Sequence, residues 1–227
     1  MRGAGKGALT GARGALTRRR LLSRGMGLVG GGLALGALPA CSIFESPPHV
    51  VRLTAAREFS PAPPVGWQLL VGVPVTTSVL NTSRVPLRQM EAGFGYFDAE
   101  WQDPLPEMLQ GLLIESFEYS GRITGVAREG SGLRADYVLL TDIRDFQAEY
   151  PHSTVEDVPT VHVRVECKMV TLPRRTIQES QGFEIRVPAK GTGFTAVLAA
   201  YDEAFHMLAR QVAEWALQPG RRAGGGV

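Results

Sequence analysis

Three ionisable side chains, His162, Arg164 and Glu166, alternate along one stretch of the chain. Residues two apart in a β-strand point to the same side. A strand here would therefore present an imidazole, a guanidinium and a carboxylate on one face, a set that could transfer protons. The same alternation is also what the solvent-exposed face of a half-buried strand requires, and we favour that interpretation.

Two further groups of side chains could take part in chemistry. Asp142, Asp145 and Glu149 could supply paired carboxylates for acid–base catalysis, but this needs an apolar pocket that raises one pKa, and the sequence indicates none. We therefore interpret them as surface charges. Asp202 and His206 are four residues apart in a predicted helix, where they could form an ion pair or share a metal ion. No third ligand is nearby, so we predict no metal site.

Sequence motifs of common enzymes are absent from residue 41 onward. There is no Gly-x-Ser-x-Gly, His-Glu-x-x-His or Cys-x-x-Cys motif and no glycine-rich phosphate loop. Cys167 continues the apolar alternation of Val161, Val163 and Val165, so it is expected to face the core, where a thiol is normally unreactive. We predict a protein that is not an enzyme and uses no cofactor. A secreted hydrolase is the alternative, although no nucleophile–base pair can be named.

The first 40 residues have the features of an export signal. They contain seven Lys and Arg residues and no acidic residue, followed by a small-residue apolar run over 25–37. That run is too short to span a bilayer, which takes about 20 residues. Residues 17–22, Thr-Arg-Arg-Arg-Leu-Leu, resemble a twin-arginine signal. An ordinary secretory signal with a basic start remains open.

The signal is followed by a candidate lipidation site at Cys41. Residues 38–41, Leu-Pro-Ala-Cys, resemble the lipobox, after which the cysteine is acylated and becomes the mature amino terminus. Several acyl chains hold a protein durably on a bilayer, whereas one holds it marginally. Ser42, where inner-membrane retention would favour Asp, indicates the outer membrane. The alternative is an incidental thiol after a cleaved signal.

The remaining chain divides into three parts. Residues 41–65 are polar and proline-rich and predict a flexible tether, 66–218 predict a single periplasmic domain, and 219–227 predict a disordered tail. The chain has 24 basic and 22 acidic residues. Since the signal holds seven of the basic ones and no acid, the mature part is weakly acidic. It therefore lacks the basic surface that binds nucleic acid.

The periodicity of apolar residues predicts the elements of the domain. Alternating or continuous apolar runs predict strands over 67–73, 93–101, 135–146 and 161–169, and a third strand of a meander around 183–187. Helical spacing predicts one helix that starts at Asp103-Pro104, capped by the aspartate, and ends near Gly121. A second helix is predicted over 194–217. This order predicts an α+β fold, a mostly antiparallel sheet with two amphipathic helices packed on one face.

Four short segments resemble a known family. They are Leu-Asn-Thr-Ser-Arg-Val at 80–85, Trp-Gln-Asp-Pro-Leu at 101–105, Ala-Asp-Tyr-Val-Leu at 135–139, and an Ala-rich helix ending in Glu214-Trp215. In this order, and after a lipobox, they resemble the ABC-type transport auxiliary lipoproteins, similar to the paraquat-inducible protein C group. The likeness runs from about Leu69 to Leu217.

The resemblance implies a function without catalysis. Members are outer-membrane lipoproteins, on the periplasmic face of Gram-negative bacteria, that work with a mammalian-cell-entry (MCE) type protein and an inner-membrane ABC transporter in moving lipid between membranes. It thus implies protein partners and contact with phospholipid, and it is compatible with a homo-oligomer. A structural or envelope-assembly lipoprotein unconnected with an ABC transporter is the alternative.

Overall fold

A computed structural model describes residues 49–152 and 156–218. These residues form nine strands and two helices in an α+β fold. The strands are β1 His49–Val51, β2 Leu69–Val71, β3 Val75–Thr76, β4 Arg84–Gln89, β5 Gly93–Trp101, β6 Val126–Arg128, β7 Tyr137–Tyr150, β8 Thr160–Thr171 and β9 Thr176–Pro188; the helices are α1 Leu105–Tyr119 and α2 Phe194–Ala216.

The sheet is built around β7. Along one edge, β8 and β9 follow β7 as an antiparallel meander, as predicted. Along its other edge, β2, β3 and β4 all pair with β7 in the parallel sense, and β6 and β1 extend the sheet through further parallel pairs. The prediction of a mostly antiparallel sheet is therefore wrong, and the sheet is mixed. Helix α1 lies in the connection between the parallel neighbours β2 and β6, and in that between β4 and β7; such connections are long because parallel strands cannot be joined by a tight turn.

Helix α1 follows the predicted apolar spacing but begins differently. It starts at Leu105, and no side chain caps it. The amide of Leu105 donates instead to the carbonyl of Thr82, at 3.1 Å, so the predicted cap by Asp103 is wrong. The C-terminal end agrees with the prediction, because the helix stops at Tyr119 and Gly121 follows with a φ of +64°, a conformation that glycine adopts without strain.

Both helices pack against a single hydrophobic core. Trp101, at the end of β5, is 1% exposed and packs its ring edge-on against Tyr201 of α2 and Phe146 of β7, with centroid distances of 5.4 and 6.2 Å. The Tyr201 hydroxyl donates to the carbonyl of Pro86 in β4. These contacts fasten α2 to the centre of the sheet.

Residues 52–60, here called the strap, are fastened to both helices. Leu53, Ala55 and Ala56 are buried in the core. Three helix side chains also accept hydrogen bonds from backbone amides of the strap: Asp202 from Thr54 at 2.7 Å, Ser116 from Ala56 at 3.0 Å, and Glu214 from Ser60 at 3.0 Å. The predicted tether over 41–65 is therefore wrong for residues 49–60, because these bonds and β1 hold that segment on the domain; residues 41–48 lie outside the described part.

Within the described residues, neither helix combines the length and apolar character needed to cross a membrane.

Candidate functional site

A β-bulge in β7 creates a charged cluster on the sheet face opposite the helices. The register between β7 and β8 shifts at Arg144, which adds one residue to β7. Without that residue, the two-residue alternation of β7 would reverse which side chains face the helices. With it, Phe146 and Ala148 stay in the core while Asp145 and Glu149 point to the other face.

We define the charged cluster as the side chains that line an open cavity of about 540 Å³ on this face. They come from four adjacent strands: Arg88 from β4, Asp145 and Glu149 from β7, His162 and Arg164 from β8, and Glu184 and Arg186 from β9; Met90, directly after β4, borders the same cavity. Gln147 of β7 bridges its two neighbours, donating to Asp145 at 3.1 Å and to Glu149 at 3.0 Å.

His162 lies at the centre of the cluster and is only 5% exposed. Its Nδ1 atom is 3.0 Å from a carboxylate oxygen of Glu149, and its Nε2 atom is 3.0 Å from one of Glu184. A carboxylate can only accept a hydrogen bond. Both contacts are therefore satisfied when both ring nitrogens carry hydrogen, which is the cationic form of the imidazole.

Arginines pair with the same carboxylates. Arg164 Nε donates to Asp145 at 2.6 Å. Arg186 donates to Glu149 at 2.9 Å and to Glu184 at 3.2 Å. The cluster is thus a continuous ionic network in which every carboxylate accepts from an arginine.

The network lowers the pKa of Asp145 and of Glu149. Burial opposes ionisation of Asp145, but hydrogen bonds from Gln147 and Arg164 and the charge of His162 outweigh it, so its pKa lies below the usual value. Burial likewise opposes ionisation of Glu149, and its hydrogen bonds and the charge of His162 again lower its pKa. Perturbed groups gathered in a cavity are typical of functional sites, although ionic networks of purely structural role also occur.

The ligand atoms of Asp145, Glu149 and His162 lie within 4.8 Å of one another and could reach one metal ion. Both carboxylates are already neutralised by Arg164 and Arg186, which a metal ion would have to displace. The arrangement is therefore better suited to binding a charged partner than to binding a metal ion.

The structure separates some of the ionisable residues that were grouped in the sequence and brings others together. Asp145 and Glu149 meet His162 and Arg164, so these four are not independent surface charges. Asp142 instead pairs with Arg144 at 2.7 Å. Glu166 lies opposite Gly182, outside the charged cluster.

The predicted pair Asp202 and His206 holds the strap. Both side chains contact the Thr54 hydroxyl, Asp202 at 3.0 Å and His206 Nε2 at 2.8 Å, and His206 Nε2 is also 3.0 Å from the Thr54 carbonyl. They border a cavity of about 820 Å³ between the strap and α2. In a catalytic triad the acid binds the second ring nitrogen and orients the base. Here Asp202 contacts Thr54 and lies 3.6 Å from the same Nε2 atom. The three side chains therefore hold the strap on α2 and do not have the arrangement of a catalytic triad.

Cys167 faces the core, as predicted. Its sulfur is 3.7 Å from the Thr141 hydroxyl. Burial raises the pKa of the thiol to about 12, so the reactive thiolate is scarce at neutral pH. Cys41 lies outside the described residues.

Several members of these sites were missed in the sequence. Glu184 and Arg186 carry a detectable signal, because they alternate with the apolar residues of β9. Arg88 reaches the cluster only through the parallel pairing of β4 with β7, and Thr54 only through the folding of the strap onto α2. Neither contact follows from local periodicity.

A family model shows which protein family this chain belongs to. The model described as "ABC-type transport auxiliary lipoprotein component" matches residues 52–213. This chain belongs to that family. The match confirms the resemblance, and it begins within the strap.

Two solved structures and one further protein are similar to this chain. A solved structure of protein XCC0632 from Xanthomonas campestris is 28% identical, with a TM-score of 0.68, covering 74% of this chain and 94% of that one. An uncharacterised protein of solved structure has a TM-score of 0.57 at 13% identity and shares the fold. The uncharacterised protein bll6063 of Bradyrhizobium diazoefficiens is 27% identical over 147 residues, 65% of this chain but only 38% of that protein's length.

Proposed function

We propose that this chain is a non-enzymatic lipoprotein, acylated at Cys41 and held on the periplasmic face of the outer membrane, that assists an ABC transporter and an MCE-type protein in moving lipid between membranes. The family match over residues 52–213 carries the proposal. The lipobox-like residues 38–41 and the basic signal before them support the anchor and the export.

The position of β1 supports a short connection between anchor and domain. His49, the first residue of β1, is eight residues after Cys41. An extended chain covers at most about 3.6 Å per residue, so His49 stays within about 29 Å of the acylated residue. Such a restraint raises the effective concentration of the domain at the membrane without additional contacts.

The charged cluster is the surface we propose for the partner protein. The side chains of Arg164 and Arg186 are 50 and 51% exposed, whereas those of Asp145 and Glu149 are 12 and 17% exposed. The guanidinium groups are therefore the more accessible part, with the exposed Glu184 beside them. Arginine in such positions binds carboxylates in a two-pronged geometry, so an acidic segment of the partner fits this surface.

Replacing Cys41 tests the anchor. Cys41→Ala should release the protein from the membrane fraction into the soluble periplasmic fraction, and the mature protein should lose the mass of its acyl chains. Cys167→Ala is the matched control, because it removes the other cysteine and should leave the protein in the membrane. Retention of the Cys41→Ala protein in the membrane would contradict the proposed anchor.

A further inference from the structure

The direction of β1 indicates which end of the sheet lies toward the anchor. β1 pairs in parallel with β5, with His49 opposite Ala99. The chain therefore enters β1 from the side of Gly93, where β5 begins. Gly93 is six residues before Ala99, a distance of about 20 Å along a strand.

The opposite end of the sheet is harder to reach from His49. Gly95 pairs with Leu87, and Leu87 with Ala148. Because β5 runs opposite to β7, Ala99, four residues after Gly95, lies level with a point four residues before Ala148. From that point the start of β7 at Tyr137 is about seven residues, or about 23 Å, away. To reach that end, the chain leading back to Cys41 must first reverse. A reversal takes about four of the eight residues, and the remaining four cover at most about 14 Å.

Exposed apolar side chains mark the end that the anchor can reach. The tip of the β4–β5 hairpin carries Met90, 65% exposed, and Phe94, 48% exposed. The Arg88 guanidinium lies 5.7 Å from the centre of the Phe94 ring. The Met90 amide donates to the carbonyl of Tyr150, which fixes the tip beside the end of β7. An apolar tip beside a basic side chain is suited to the interface of a bilayer, where apolar groups enter between the lipids and Arg meets the phosphates.

We propose that the tip of the β4–β5 hairpin, with Met90 and Phe94, contacts the phospholipid surface of the membrane that carries the anchor. This orientation rests on the proposed acylation of Cys41. Exposure alone does not select this end, because Leu133 and Ile177, 63 and 56% exposed, lie toward the opposite end. The selection comes from the direction of β1 and the length of chain before it. The opposite end then faces away from the membrane.

Cysteine labelling of the full-length acylated protein tests the orientation. Met90→Cys and Phe94→Cys are compared with the control variants Leu133→Cys and Ile177→Cys, in detergent and in vesicles of phosphatidylethanolamine and phosphatidylglycerol. A side chain inserted for nine-tenths of the time is labelled about tenfold more slowly. We expect that slowing in vesicles at 90 and 94 and none at 133 and 177. Equal rates in the two media at 90 and 94, slowing at all four positions, or slowing at 133 and 177 alone would overturn the orientation.

The unsubstituted protein separates this proposal from the proposed anchor. Cys167 is buried and should not react, and acylation consumes the thiol of Cys41. An unsubstituted protein that neither reacts nor leaves the vesicles on flotation therefore confirms the anchor independently of the hairpin. Labelling at Cys41 would refute the acylation itself. Hydrogen exchange of the unsubstituted protein provides a second measurement, with slower exchange expected over residues 90–94 in vesicles.

Discussion

Replacement of Trp101 by Ala tests the packing that joins α2 to the sheet. The indole is 1% exposed and packs edge-on against Phe146 and Tyr201, so truncation leaves a cavity lined by aromatic rings. Such truncations cost about 3–5 kcal/mol, a large part of the about 5–15 kcal/mol that stabilises a domain. For a domain of this size, 1 kcal/mol corresponds to about 2–4 °C in Tm. We therefore expect the Tm to fall by about 6–20 °C.

Thermal unfolding followed by circular dichroism measures this change, and two variants serve as controls. Trp101→Phe keeps a ring and removes an indole Nε1 that has no hydrogen-bond partner among the described residues, so it should cost much less than Trp101→Ala. Leu133→Ala alters an exposed side chain and should leave the Tm unchanged. A Tm of Trp101→Ala within about 2 °C of the parent would refute the packing role, and loss of partner binding at that unchanged Tm would make Trp101 a contact residue.

Three further predictions concern other parts of the domain. Cys167→Ala should lower the free energy of unfolding in urea by about 1–2 kcal/mol and leave partner binding intact; loss of binding by a folded variant would contradict a structural role. The pKa of Asp145 and of Glu149 is lowered on folding, so their ionised forms stabilise the folded state above the ordinary values of 3.8 and 4.5, and this stabilisation is lost as the pH falls through the lowered values. When the Tm is measured at decreasing pH, it should therefore fall less steeply in Asp145→Asn than in the parent. Equal slopes of Tm against pH would contradict this prediction. Asp202→Ala removes the acceptor of the Thr54 amide and should speed hydrogen exchange over residues 52–60, with exchange over 161–169 as the internal reference; unchanged exchange in the strap would show that burial of its apolar residues alone holds it.

The elements with continuous periodicity were predictable from the sequence. β5 was predicted with the bounds it has, and α2 within one residue of its end, because long apolar patterns at one spacing leave few alternatives. The pairing of the strands was harder to predict from the sequence, because it depends on contacts between residues that are far apart along the chain. β4 was missed altogether, since it is short and contains Pro86, and with it the parallel pairing to β7.

The charged cluster was predictable only in part. Asp145, Glu149, His162 and Arg164 were all noted, yet as separate surface charges, because the bulge at Arg144 that aligns two of them with the other two leaves no local signal. The strap was mistaken for part of a tether because prolines at 47, 48, 61, 63 and 64 lie on either side of it, and such residues resist both helix and sheet. It is ordered through helix side chains that accept hydrogen bonds from its backbone amides, and these acceptors, Ser116 and Glu214, are 60 and 154 residues away from their donors in sequence.

Capture of partners by the acylated protein tests the central proposal most directly. Cells that produce the full-length, tagged chain are crosslinked, and proteins recovered from the membrane are identified by mass spectrometry. The parent and Lys190→Glu, a charge reversal at a side chain that is 86% exposed outside the charged cluster, should both recover an MCE-type protein and the ABC transporter subunits, whereas Arg164→Glu should recover neither while remaining folded and anchored. Recovery of envelope-assembly proteins without any transporter component, from a parent protein that is acylated and folded, would contradict the proposed function.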